Sequence, residues 1–269
     1  MNIFSRLVFV CLLLSCIPLL AQESKPDSEP QQPQRVAPPS PTASVEDLEN
    51  EGDRLRARKE YLDAIDYYRE AIKKADSASL RNKIGIALLQ LARYGDARKE
   101  FERSLKLDKH YADAHNNLGA TYYQMRRYGA AAREYQKAVK LNDAKASFHS
   151  NLGYALLALK DMDKASKEFD LAMQIDPHVF DPQPSGGISI KLASSGDRAS
   201  LNYVIAKMYG QRGDVENCRL YLSKANEDGY PHVKDALRDS EFAELRKDPE
   251  FVNFVRSLKP PPAPENANN

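Results

Sequence analysis

The chain has 269 residues, with 39 Lys+Arg against 38 Asp+Glu, and its formal charge of +1 excludes a global electrostatic grip on nucleic acid or an anionic membrane. It has no Trp and only 12 Gly, and is rich in Ala, Leu, Lys, Glu and Tyr, a composition that favours helix over sheet. A partner must therefore be recognised by shape and local contacts.

Residues 1–21 read as a secretion signal. Arg6 supplies the positive start, Leu7 to Leu20 is nearly all apolar, and Ala21 offers a small residue for cleavage before Gln22. The apolar run is broken by Pro18 and falls short of the roughly 20 residues a hydrocarbon core needs, so a retained membrane helix is the weaker reading. This predicts a periplasmic or secreted protein. Leu13-Leu14-Ser15-Cys16 also fits a lipobox, so the alternative is an outer-membrane lipoprotein, an assembly or pilotin-like factor anchored through Cys16. Membrane contact is expected only through that anchor or an uncleaved signal. Cleavage after Ala21 leaves Cys218 as the sole thiol, which reads as a small buried hydrophobe in a domain that stands without an internal disulfide.

Residues 22–44 carry six prolines among Ser, Gln, Glu and Lys and have almost nothing to bury, which predicts an extended, disordered linker. Next comes a repeat. Gly52, Gly85, Gly119 and Gly153 are spaced by 33, 34 and 34 residues, and periods of this size mark solenoids. Twelve residues after each glycine stands Ala64, Ala97, Ala131 or Ala165. Four further on comes an aromatic, Tyr68, Phe101, Tyr135 or Phe169, and three beyond it a small residue, Ala71, Ser104, Ala138 or Ala172. Glycine inside a helix costs about 0.5–1 kcal/mol relative to alanine, so four at one period imply a packing role. We expect glycine and alanine to let two helices approach closely, and the aromatic to fill the gap against the next unit.

Asn117-Leu118-Gly119-x-x-Tyr122, and Asn151-Leu152-Gly153 with Ala165, Phe169, Ala172 and Pro177, resemble the tetratricopeptide repeat of exported bacterial proteins. The resemblance implies an all-α fold, a right-handed superhelical solenoid of antiparallel helix pairs, with units 1–4 over residues 45–176. With each glycine numbered as position 8, the chain departs from the family pattern at position 4. There a large residue is usual, and here stand Leu48, Arg81, His115 and His149.

Ala206, Tyr209, Gly213, Cys218, Leu222 and Ala225 fit a divergent fifth unit, displaced by an insertion of 19 residues beyond the period. Residues 177–198 are read as an inserted loop, in which Ile188 to Leu192 alternates as a short strand would. Residues 199–258 hold the fifth unit and a C-terminal helical cap built on Leu237, Phe242, Leu245, Phe251, Phe254, Val255 and Leu258, with Asp248-Pro249 opening the last helix. Residues 259–269 read as a disordered tail.

No phosphate loop, paired-cysteine site, nucleophile elbow or His-Glu-x-x-His run occurs, so the expectation is a non-enzyme without catalytic residues, metal or cofactor. His115 and His149 stand at the same position of adjacent units, but no third ligand recurs beside them. The resemblance points instead to a protein or peptide partner held as an extended segment in a concave groove lined by the first helix of each unit. The candidate lining is Asn50, Lys83, Asn117 and Asn151 at position 6, with Tyr123, Tyr154 and Leu157 along an apolar strip that also includes Ile86 and Leu89. Asparagine can pair with both N–H and C=O of a peptide backbone, or can simply face water; the strip can face the groove or belong to the core between units.

Overall fold

The computed structural model describes residues 36–180 and 195–259. The signal segment with Cys16, most of the linker, Ile188 to Leu192 and all but the first residue of the tail lie outside them. The first four units are α1 (Val45–Ala57) with α2 (Tyr61–Lys74), α3 (Ala78–Gln90) with α4 (Tyr94–Leu107), α5 (Ala112–Gln124) with α6 (Tyr128–Leu141), and α7 (Ala146–Ala158) with α8 (Met162–Ile175). A fifth pair, α9 (Ser195–Gln211) and α10 (Val215–Glu227), precedes three short 3-10 turns and α11 (Pro249–Ser257). Each helix packs on the next and the first helices of neighbouring units also touch, so the fold is an all-helical solenoid with no strand among the described residues. Nor is any described helix long and apolar enough to cross a membrane.

The second helix of each regular unit has a strongly one-sided apolar face, whereas α3 and α7 bury residues all round, because first helices are covered on both sides by their neighbours. The turn inside each unit is a Schellman cap. In unit two the Ala92 amide donates to Leu89 and that of Arg93 to Leu88, and the other units repeat the geometry. It puts Lys59, Ala92, Arg126 and Lys160 at φ between 57° and 65°, a left-handed conformation that costs an L-residue roughly 1–2 kcal/mol; only the fifth unit relieves it, with Gly213.

The four repeat glycines have a measurable purpose. A Cβ on Gly52, Gly85, Gly119 or Gly153 would lie 2.5–2.7 Å from the ring of Tyr68, Phe101, Tyr135 or Phe169, and all four rings are fully buried. This corrects the expectation that the aromatic seals the gap against the next unit. The ring lies across the glycine of its own unit and fills the space between that unit's two helices; burying it is worth roughly 1.5–3 kcal/mol.

Both ends depart from regularity. Part of the proline-rich stretch is held on α2: Tyr67 donates its hydroxyl hydrogen to the Ala37 carbonyl at 3.1 Å and Lys74 donates to that of Pro41 at 2.8 Å, while Ser44 and Asp47 cap α1 reciprocally. At the other end α9 contacts α8 more sparsely than earlier first helices contact their predecessors. Phe180 and Tyr154 close over Phe169 edge-on, at 5.3 and 5.2 Å. The cap docks through Phe242, whose ring would sit 2.6 Å from a Cβ on Gly210, and Phe242, Phe251 and Val255 are fully buried. Tyr203 stacks on Tyr230 at 4.4 Å and donates to Asp239 at 2.9 Å, and Asp248 caps α11 with Pro249 in its first turn.

Candidate partner-binding face

Positions 5 and 6 of a helix point about 100° apart. In a stacked array one can therefore reach back to the preceding unit while the other reaches forward. The chain uses this to run a polar ladder along its first helices. Lys83 reaches back to unit one, donating to Glu49 at 2.7 Å and to Asp53 at 2.5 Å. Burial pushes the Lys83 ammonium down, but these two carboxylates outweigh it and hold its pKa above the ordinary lysine value. Asn117 donates its amide to Asn82 at 3.0 Å, and Asn151 donates to Asn116 at 2.8 Å; Asn116 in turn donates to Asn117 at 3.3 Å, joining the two rungs. All four asparagines are buried. At the fifth unit the corresponding pair is Ser150 and Val204: Ser150 turns back to the Ser147 carbonyl, Val204 is buried, and the ladder ends.

Most of the residues nominated for the groove are thereby placed inside the protein. Asn117 and Asn151 spend their amides on neighbouring units, so truncating either leaves a buried partner unsatisfied, at a cost of about 1–3 kcal/mol. Tyr123 and Leu157 are core residues, 2% and 1% exposed, as is Leu89. Tyr154 is half-buried against Phe169; burial, with the nearby Tyr221, pushes its hydroxyl up to about 12. Asn50 is exposed and Lys83 half-buried. At position 13 of the same helices Gln90 is exposed and Gln124 half-buried, and neither has a hydrogen-bond partner among the described residues. Asn82 and Asn116, which receive the ladder bonds, escaped the sequence reading. Their signal was polarity recurring one place before position 6.

A second recurring pair explains the missing large residue at position 4. His115 Nδ1 meets Glu134 Oε2 at 2.7 Å and its Nε2 meets the Lys109 carbonyl at 3.2 Å; His149 repeats both contacts with Glu168 at 2.7 Å and Asp143 at 3.0 Å. Arg81 makes the equivalent bond to Glu100, at 3.1 Å, and a fork onto Asp76. In units two to four an arginine or histidine bonded to a glutamate clamps the unit where the family pattern uses bulk. Both nitrogens of each imidazole face an oxygen, and no group of three or more His, Cys, Asp or Glu side chains is placed to share a metal among the described residues. Glu100, Glu134 and Glu168 recur at a 34-residue spacing, the trace of this clamp in the sequence.

The clamp gives a pH prediction. Burial pushes the Glu134 carboxyl up, but hydrogen bonds from His115 and Lys137 outweigh it and hold it below its ordinary value of 4.5. A carboxyl lowered in the folded state stabilises the fold above its unfolded-state pKa and loses that contribution as pH falls through the folded one. Urea titrations at about pH 6 and again below pH 4 should therefore show a smaller acid loss for Glu134→Gln than for the native chain. Equal losses would mean that the clamp does not favour the ionised carboxylate.

With this geometry in hand, the likeness to known proteins is specific. One family description, TPR repeat, matches residues 85–126, and a second, tetratricopeptide repeat, matches residues 118–179. Together they cover residues 85–179, in units two to four. Among solved structures it is similar to the PilF protein of Pseudomonas aeruginosa, at 17% identity over 78% of this chain and 88% of that one, with a TM-score of 0.52. It is also similar to a MamA fragment, residue 41 to the end, from Desulfovibrio magneticus RS-1, at 19% identity over 70% and 95%, with a TM-score of 0.50. These likenesses show the solenoid fold. Comparison with curated proteins gives no match.

Proposed function

We propose that this chain is a non-catalytic, exported scaffold that binds an extended segment of a protein partner along the face formed by α1, α3, α5 and α7. The supporting observation is the ladder. It fixes successive first helices to one another by their inner polar side chains, leaving Asn50 and Gln90 exposed and Gln124 half-buried outside it. A primary amide offers a donor and an acceptor, which suits the backbone of an extended peptide whatever its side chains. The candidate contacts thus shift from Asn117, Asn151, Tyr123 and Leu157 to Asn50, Gln90 and Gln124 on the same set of helices. Export rests on the signal-like segment Met1 to Ala21, and places the partner in the periplasm or outside the cell.

The reading is tested with a photo-crosslinking residue at Gln90 or Gln124, and separately at Arg103, which is exposed on α4. In cells of the source organism we expect one discrete partner adduct from the first two positions and none from the third. Adducts only at Arg103, or at all three alike, would overturn the assignment of the face.

A further inference from the structure

A cavity of about 240 Å³ opens between α6 and α8 over part of α7. It is lined by Val139, Leu152 and Leu156, with Gln136, Lys140, Lys164, Lys167 and Glu168 at its walls. Position 11 decides that it is open: Tyr122 and Tyr209 stand there in units three and five, and the smaller Leu156 in unit four. Units one and two also carry leucine, Leu55 and Leu88, but the charges beside that groove are neutralised: the equivalents of Lys140 and Lys167 are Lys73 and Lys99, held by Glu70 and Asp96. Lys140 and Lys167 are exposed and have no ion-pair partner among the described residues. Lys164 is bonded to Asp161 at 2.6 Å, and the one carboxylate at the wall, Glu168, is engaged by His149.

At about 240 Å³ it is smaller than the roughly 300–1,000 Å³ typical of small-molecule pockets. What fits is one large apolar side chain with negative charge on either side of it. We propose that this groove docks an acidic peptide segment of a partner protein, its single apolar anchor seated on Val139, Leu152 and Leu156 and its carboxylates on Lys140 and Lys167. The lysines of this site stand on α6 and α8, whereas Gln90 and Gln124 stand on α3 and α5, so either proposal can fail without the other.

The probe is a short fluorescent peptide with one phenylalanine flanked by glutamates, against the same peptide with lysines in place of the glutamates. Anisotropy should show binding of the acidic peptide that weakens with added salt, and no binding of the basic one. Lys140→Glu with Lys167→Glu should weaken it about tenfold or more, and Leu156→Tyr, which copies the residue of units three and five, should do so by filling the cavity. The two lysines are exposed, so the double variant should keep the helicity and melting curve of the native chain. Absence of binding up to about 1 mM peptide, equal binding of the basic peptide, or binding indifferent to both variants would each overturn the proposal.

Discussion

Phe101→Ala is expected to cost about 3–5 kcal/mol, the range for truncating a fully buried aromatic. The ring lies across Gly85 and is the largest fully buried side chain of α3 and α4, and the buried residues a turn to either side of it on its own helix, Ala97 and Ser104, are too small to refill the space. Ser104 is further tied to the Ala78 carbonyl at 2.7 Å. In a linear array each unit is coupled only to the units beside it, so the loss should be local before it is global. Hydrogen exchange is the suitable measurement. Amides of α3 and α4 should lose protection first, with α1 and α2 following because they are left as a single unit at the end of the array. Protection that falls uniformly from α1 to α11 would show that the solenoid unfolds as one block and that the ring is not the keystone of its unit.

The second expected result is a reversal of sign. Glycine to alanine in a helix normally stabilises, by about 0.5–1 kcal/mol. Gly95→Ala, where a Cβ would meet nothing within 4 Å, should follow that rule and be neutral or slightly stabilising. Gly119→Ala should instead destabilise, by about 1–3 kcal/mol, because its Cβ would lie 2.7 Å from Tyr135 Cδ1 and the fully buried ring has nowhere to swing. The clash is relieved if the ring is removed, so Gly119→Ala should cost much less in a Tyr135→Leu background than alone. Urea unfolding of the four chains measures that coupling directly. Additive costs would mean that Gly119 is required for something other than its aromatic.

Both results rest on a pairing that was half legible in the sequence. The coupled recurrence of glycine, alanine and aromatic at 33 and 34 residues gave the helix pairs and their number, because packing of that kind repeats whenever its residues repeat. It did not tell which neighbour the ring meets. That depends on the angle at which two helices of one unit cross, and it took the fold to show the ring closing on its own glycine.

The candidate face shows the same division more sharply. Asn117 and Asn151 were legible as a polar row on the first helices, and Tyr123, Tyr154 and Leu157 as an apolar one. Whether such rows face a partner or a neighbouring unit is set by the stagger between successive first helices, which no local pattern records. Here the stagger brings position 6 of one unit onto position 5 of the unit before it, so the asparagines find each other and Gln90 and Gln124 take no part in the ladder. The sequence by itself determined an all-helical repeat array, the rings and small residues at its centre, and the Asp248-Pro249 start of its last helix, since period, side-chain size and capping chemistry act within a few turns of chain. Only the tertiary structure decided which polar side chains are spent on holding units together, because a hydrogen bond between residues 35 apart depends on where the second helix lies and not on what either residue is.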